Sequence, residues 1–122
     1  MDWKIELVAI PVSDVDRAKD FYTKIGFNAD HDASPSPGVR FVQLTPPGSG
    51  CSICIGTGLT EAAPGSVEGM QMVVESAERA YEQLVAAGVE ATPVKDEGWG
   101  LFTYFADPDG NKWAVQEMPK QW

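Results

Sequence analysis

The chain has 122 residues, of which 43% are hydrophobic, and a chain of this length forms one domain that buries roughly two-thirds of its unfolded surface. The 18 acidic residues outnumber the 9 basic ones, and the net charge of −9 disfavours binding to the phosphates of nucleic acids. No segment is long and apolar enough to span a membrane, and residues 1–10 lack the features of a signal peptide. Two cysteines do not make a disulfide framework, which is typical of a cytoplasmic protein. Together, these features predict a cytoplasmic protein with neither nucleic-acid nor membrane partners.

The two halves of the chain carry one motif, repeated at an offset of 62 residues. Residues 12–27 read VSDVDRAKDFYTKIGF and residues 74–89 read VESAERAYEQLVAAGV. Each copy predicts a strand that ends at a valine, an amphipathic helix, and a glycine that ends the helix. The repeat predicts a single domain over 1–122, built from a first half at 1–58, a linker at 59–68 and a second half at 69–122.

In the first half, alternating apolar residues over 5–12 predict a strand. Ser13 or Asp14 is the expected N-cap of a helix whose apolar residues recur at helical spacing, and Gly26 ends that helix. Three further strands are predicted at 28–33, 39–45 and 51–56, with a loop at 34–38 and a turn at 46–50.

The second half repeats this order of elements. Strands are predicted at 69–74, 90–94, 101–106 and 112–117, a helix at 76–87, a loop at 95–100 and a tight turn at 107–111. Each half is therefore βαβββ. Pairing the strands of the two halves predicts an α+β fold in which a curved mixed sheet surrounds a cleft and both helices lie outside it.

Two stretches resemble the vicinal oxygen chelate superfamily, which includes glyoxalase I, bleomycin-resistance proteins and extradiol dioxygenases. One is the strand-to-helix stretch at 12–27, and the other is FADPDGN at 105–111, which is similar to a late hairpin of that family. With the βαβββ repeat, the resemblance covers nearly the whole chain. It implies the glyoxalase/bleomycin-resistance fold and a homodimer.

Metal-dependent members of that superfamily hold a divalent ion with His, Glu or Gln side chains in the cleft. The resemblance places these ligands at Leu7, at Gly69 or Met70, at Ala114, and within 52–54. Because Leu, Gly and Ala side chains cannot ligate a metal, we predict that the usual metal site is missing and that no cofactor is bound. A weak site of oxygen donors is the alternative, and its candidate ligands are Glu6, Gln43, Gln71 and Gln116.

Other catalytic and metal-binding groups are few. His31 is the single histidine, and a solvated surface position between two aspartates is its expected role. Cys51 and Cys54, three apart on a strand, would face opposite sides of the sheet, which does not suit a zinc pair. Asp107 and Asp109 belong to a sequence that a tight turn favours, so we predict a turn rather than acid–base chemistry.

The cleft that the fold predicts is lined by apolar, aromatic and amide side chains. Trp99 lies between two glycines in a loop and has little core to join, so it is the strongest candidate for a ligand contact, whereas Trp113 is expected in the core. For strands 39–45 and 101–106 the sequence leaves open which face looks inward. The predicted ligand-binding residues are Leu7, Ala9, Phe41, Gln43, Gln71, Trp99, Phe102, Tyr104, Ala114 and Gln116.

We therefore predict a protein that binds a small organic ligand, cationic or aromatic, without a standard metal site. The analogy is with bleomycin-resistance proteins, acidic dimers that bind a cationic drug without chemistry. The alternative is an enzyme, a metal-dependent glyoxalase-like lyase or isomerase or a dioxygenase, that uses non-standard ligands. A third hypothesis is a subunit that binds a partner protein and whose cleft is too small for any ligand.

Overall fold

The computed structural model describes residues 1–120, and its elements follow the predicted order twice. They are β1 (Leu7–Ala9), α1 (Val15–Lys24), β2 (Asn28–Ser36), β3 (Val39–Thr45), β4 (Ser52–Thr57), β5 (Met70–Val74), α2 (Ala77–Ala86), β6 (Lys95–Asp96), β7 (Leu101–Ala106) and β8 (Lys112–Glu117). The two βαβββ repeats and the α+β fold class are confirmed. No helix within residues 1–120 is long and apolar enough to cross a membrane.

The strands of each repeat form a sheet of their own. The first sheet has the order β1-β4-β3-β2 and the second the order β5-β8-β7-β6. In both, the first strand of the repeat runs parallel to the last, and the other neighbours are antiparallel. Within residues 1–120 the strands of the two halves do not pair with each other, so two mixed four-stranded sheets stand in place of the single curved sheet that the sequence predicts. Strands β1 and β5 are edge strands.

Both helices begin at the residues that the sequence favours. The Asp14 and Ser76 side chains each accept a hydrogen bond from the backbone N–H three residues further on, at 3.0 and 3.2 Å. These caps satisfy backbone donors that the first helical turn leaves without a partner.

The two sheets and the helices share one hydrophobic core. Its buried residues on the sheets are Val42, Leu44, Ile53, Ile55, Phe105, Trp113 and Val115. Tyr22 of α1 and Leu84 of α2 join them. We call the side of each sheet that carries these residues its core face, and the opposite side its outer face.

A polar network inside this core connects α1 with the turn between β7 and β8. The Tyr22 hydroxyl donates to the Asp107 carboxylate at 2.8 Å and accepts from Trp113 Nε1 at 3.0 Å. Asn111 Nδ2 donates to the same carboxylate and to the Pro11 carbonyl, both at 2.8 Å. Burial, together with the neighbouring Asp107, raises the pKa of the Tyr22 phenol. The predicted turn role of Asp107 is confirmed, and Trp113 lies in the core as predicted.

Strand β2 is longer than the sequence predicts. It extends to Ser36, so most of the loop expected at 34–38 is strand, and Ser36 lies opposite Val39 of β3 after a register shift. Pro35 is tolerated because β2 is an edge strand, where the missing backbone N–H breaks no ladder on the open side.

The strand expected at 90–94 is absent from the described fold, and a short strand, β6, lies at Lys95–Asp96 instead. Pro93 cannot donate a backbone hydrogen bond. The segment is held by separate contacts of Thr92, whose N–H donates to the Tyr104 carbonyl at 3.0 Å and whose carbonyl accepts from the Thr103 hydroxyl at 2.7 Å.

The Tyr22 hydroxyl generates a prediction on stability. Tyr22→Phe leaves the Asp107 carboxylate and the Trp113 N–H each short of a partner, so we expect a loss of about 1–3 kcal/mol in the free energy of unfolding. Urea denaturation measures the loss. Tyr81→Phe, on the half-buried side of α2, is the matched control, and equal losses in the two variants would contradict the role of the network.

A second prediction concerns the linker. Gly65 has φ +81°, and a Cβ placed on it would overlap the Asp109 carbonyl oxygen, whereas a Cβ on Gly69 meets no atom within 4 Å. Gly65→Ala should destabilise the fold by about 1 kcal/mol or more, and Gly69→Ala should change stability by less than about 0.5 kcal/mol. Thermal unfolding separates the two, and an equal melting temperature in both variants would show that the linker does not pack as described.

Candidate functional site

On the first sheet, the predicted ligand residues share the outer face. The register shows this directly, because Ala9 of β1 and Gln43 of β3 both lie opposite Cys54 of β4. Side chains alternate along a strand, so residues two positions away lie on the same face. The outer face therefore carries Leu7, Ala9, Phe41, Gln43, Ser52 and Cys54.

On the second sheet, the predicted residues also share the outer face. Gln71 of β5 and Tyr104 of β7 both lie opposite Ala114 of β8. Phe102 lies opposite Gln116. The structure thus answers the question that the sequence leaves open, since Phe41, Gln43, Phe102 and Tyr104 all lie on outer faces.

One copy of the chain does not bring these two sets of residues together. The core faces of both sheets pack into the same hydrophobic core, so the outer faces point away from each other. Within residues 1–120, no hydrogen bond or aromatic pair joins the outer face of one sheet to that of the other. Each outer face therefore carries a part of the predicted ligand set.

The second sheet carries a row of three aromatic rings, Trp99, Phe102 and Tyr104, which we call the aromatic row. The rings of Phe102 and Tyr104 are stacked, with centroids 5.7 Å apart and planes 7° apart, and the Trp99 ring meets Phe102 edge to face at 6.4 Å. Phe102 is buried, whereas Trp99 is 57% exposed. An exposed indole beside stacked rings is a surface on which a planar molecule can stack.

Gln116 fastens the loop that carries Trp99. Its Nε2 donates to the Trp99 carbonyl at 3.0 Å, and its Oε1 accepts from Gln71 Nε2 at 2.7 Å. The loop approaches so closely that a Cβ on Gly100 would overlap the Gln116 amide. Both ends of the Gln116 amide are therefore occupied, and the Gln71 carbonyl oxygen is directed away from this bond.

Glu97 belongs to the same surface, although the sequence does not single it out. Its carboxylate accepts a hydrogen bond from the Tyr104 hydroxyl at 2.7 Å and lies 3.2 Å from Lys95 Nζ. The hydrogen bond from Tyr104, assisted by Lys95, lowers the pKa of Glu97, and burial together with Glu97 raises the pKa of Tyr104 to about 12. An acidic residue two positions before Trp99 is visible in the sequence, but only the pairing of β6 with β7 places it beside Tyr104.

The first sheet carries a row of polar groups at its outer face, Gln43, Ser52, Thr45 and Asp30, which we call the polar row. Gln43 Nε2 lies 3.4 Å from Ser52 Oγ, Ser52 Oγ lies 2.6 Å from Thr45 Oγ1, and the Thr45 hydroxyl donates to the Asp30 carboxylate. The other carboxylate oxygen of Asp30 accepts from Asn28 Nδ2 at 2.7 Å. The hydrogen bonds from Thr45 and Asn28 lower the pKa of Asp30.

The residues at the expected metal positions do not fit a divalent ion. Leu7 lies opposite Ser52, and the residue opposite Ala114 is Gln71 rather than Gly69. These positions offer the Ser52 hydroxyl, the Gln71 amide and the buried Cys54 thiol, and burial raises the pKa of that thiol, which disfavours the thiolate that a metal needs. Divalent metals in proteins are held by sets of imidazole, thiolate or carboxylate ligands. Within residues 1–120, no three His, Cys, Asp or Glu side chains lie close enough to hold a metal ion.

The histidine and the buried cysteine of the chain do not form a catalytic group within residues 1–120. His31 is exposed on β2. Cys54 is a free, buried cysteine on the outer face, and burial raises the pKa of its thiol. A thiol in this state is a poor nucleophile.

A separate cavity of about 470 Å³ lies between the two halves of the chain. The end of α1, the turn at 46–49, strand β5 and helix α2 form its walls. Gln71 is the one residue that it shares with the predicted ligand set. The predicted cleft is therefore a different surface from this cavity.

The fold and these faces define a class of protein: a small α+β protein of two βαβββ repeats whose aromatic and amide groups lie on the outer faces of two sheets. Residues 4–115 match the family model of the Glyoxalase/Bleomycin resistance protein/Dioxygenase superfamily. The chain belongs to this superfamily.

Two relatives illustrate the match. The chain is 31% identical over 121 residues to the uncharacterized protein YetH of Bacillus subtilis (strain 168). This match covers 93% of the chain and 98% of YetH. The structure is similar to that of TnmS3, an antibiotic binding protein from Streptomyces sp. CB03234, with a TM-score of 0.87, 29% identity and coverage of 97% of this chain and 98% of TnmS3.

A third similarity is to a superfamily member from Sphaerobacter thermophilus DSM 20745. The TM-score is 0.85, the identity is 31%, and the match covers 95% of this chain and 98% of that protein.

The contact between Glu97 and Tyr104 generates a prediction on titration. In Glu97→Gln the Tyr104 pKa should fall below about 12, because the neighbouring negative charge is gone, but it should stay above the usual value of about 10 because the ring is still buried. NMR titration of ¹³Cζ-labelled tyrosine measures it, with Tyr104→Phe assigning the resonance. An unchanged Tyr104 pKa would show that the two side chains do not interact in solution.

Proposed function

We propose that the protein binds a planar organic molecule between two copies of the chain. The outer face of the first sheet of one copy forms one wall of the site, and the outer face of the second sheet of its partner forms the other. One observation carries this proposal. The predicted ligand residues lie on two faces that point away from each other within one chain, so a second copy is needed to bring the two sets together.

Exposed apolar residues support a second copy. Leu7 at the edge of the first sheet is 36% exposed, and Val73 at the edge of the second sheet is 65% exposed. Trp3 and Ile5, in the segment before β1, are 86% and 75% exposed. Contiguous exposed apolar groups mark interaction surfaces, and a two-fold dimer uses the same patches twice and so completes two identical sites.

The chemistry of the walls supports binding rather than catalysis. Small-molecule sites combine apolar and aromatic walls with a few fixed polar groups, and the aromatic row with Gln71 and Gln116 has this composition. The set of donors at the expected metal positions does not fit a divalent ion. The likeness to TnmS3 supports an antibiotic as the kind of ligand. The cytoplasmic location of the protein stays a prediction.

The dimer is tested by breaking one edge. Val73→Glu places a charge on the exposed outer face of β5, and it should convert a dimer into a monomer because an unpaired charge in an interface loses its hydration. Val85→Glu, on the exposed side of α2, is the matched control and should leave the dimer intact. Analytical ultracentrifugation measures both, and a wild-type protein that is monomeric at every concentration would overturn the composite site.

Ligand binding is tested with 9-aminoacridine as a planar probe. Trp99→Ala should weaken binding about tenfold, because it removes the exposed stacking surface, and Val85→Ala should not change the affinity. Isothermal titration calorimetry measures the affinity before and after treatment with EDTA. Stoichiometric metal by mass spectrometry, or loss of binding with the metal, would contradict the metal-independent binding that we propose.

A further inference from the structure

The direction of every hydrogen bond in the polar row follows from counting protons. Asp30 accepts from Asn28 and Thr45, and these bonds favour its ionised form, in which it has no proton to donate. A weaker interaction of the Gln43 amide with the same carboxylate acts in the same direction. Thr45 therefore donates its single hydroxyl proton to Asp30. Thr45 has no second proton, so the bond of 2.6 Å between its oxygen and that of Ser52 must be donated by Ser52.

The last bond of the row orients an amide. Because Ser52 has used its proton, its oxygen accepts from Gln43 Nε2. The Gln43 amide is therefore held with its nitrogen toward the row. Its carbonyl oxygen makes no side-chain hydrogen bond within residues 1–120 and is available on the outer face.

The outer face of the second sheet also presents a glutamine carbonyl oxygen. Gln71 donates an N–H of its amide to Gln116. Its carbonyl oxygen, like that of Gln43, is therefore available to accept a hydrogen bond from a ligand. Glu97 adds a carboxylate beside the aromatic row, and this carboxylate contacts the Tyr104 hydroxyl and the 70% exposed Lys95. The side-chain oxygen atoms of Gln43, Gln71 and Glu97 are thus hydrogen-bond acceptors that the two outer faces offer to a ligand.

We propose that Asp30, Thr45 and Ser52 act as a positioning relay, which holds the Gln43 carbonyl toward the ligand and selects planar molecules that carry hydroxyl or amino donors. The inference rests on the proposed function, because only a ligand between the two outer faces meets Gln43. A ligand without a donor leaves a desolvated acceptor unpaired, and sites built to pair a polar group discriminate strongly against analogues that lack it.

The test separates hydrogen-bond donors from charge. The probes are 9-aminoacridine, a planar cation with an amino donor, and 10-methylacridinium, a planar cation without an N–H or O–H. Since both carry the same charge, the net charge of −9 attracts both alike. Calorimetry in 0.15 M salt should show 9-aminoacridine binding about tenfold tighter to the wild-type protein.

Variants of the relay then test its role. Ser52→Ala and Thr45→Val each interrupt the relay, so the Gln43 amide can turn over and the preference should fall below about threefold. Thr45→Ser keeps the hydroxyl and should keep the preference. Circular dichroism and urea unfolding verify that each variant is folded, and the ratio of the two affinities is a readout that a merely structural role of these residues would not move.

The outcomes are distinct. A preference that persists in both interrupted variants overturns the relay. Equal wild-type affinities for the two cations overturn donor selection while leaving the planar-ligand site of the proposed function in place. Failure of both cations to bind overturns the proposed function itself and the relay with it.

Discussion

The buried carboxylate of Asp107 holds the two halves of this protein together. It accepts hydrogen bonds from the Tyr22 hydroxyl, the Asn111 amide and the backbone N–H groups of Asp109 and Asn111. A buried charge without such partners would cost several kcal/mol, so α1, the segment at Pro11 and the turn between β7 and β8 have to come together in one arrangement. The core faces of the two sheets then meet around Tyr22, and the outer faces are left to solvent or to a partner.

Because the core faces of the two sheets meet, each central strand has one set of residues that stabilises the core and another set that is left on the outer face. Alternate residues of β3, β4, β7 and β8 face either the core or the outer face. The core-facing positions hold large apolar residues in contact. The outer-facing positions hold amides, hydroxyls and aromatic rings, which contribute less to the core.

In this member of the Glyoxalase/Bleomycin resistance protein/Dioxygenase superfamily, two of the expected metal positions carry apolar side chains. Leu7 and Ala114 occupy positions where metal-dependent members are expected to carry ligands, and their neighbours across the strands are Ser52 and Gln71. A hydroxyl and an amide bind neutral polar groups well and divalent ions poorly. Ser52 is the expected metal position that also belongs to the polar row.

The sequence by itself determined the features that depend on neighbouring residues. The bounds of β3, β7 and β8 and the repeat of βαβββ follow from local periodicity and turn chemistry, and Asp14 is one of the two N-cap residues that the sequence offers for α1. The shared faces of the predicted ligand residues follow from alternation along each strand. Trp99 is exposed where its flanking glycines predict a loop.

The tertiary structure decided what depends on contacts between distant residues. The extension of β2 depends on its edge position, and the place of β6 on its pairing with β7. Glu97 and Asp30 join the surfaces that carry the proposed site because the fold brings Tyr104 and Thr45 beside them. The separation of the outer faces has the same origin, because periodicity tells a residue which side of its strand it lies on, and only the packing of one sheet against another decides what that side meets.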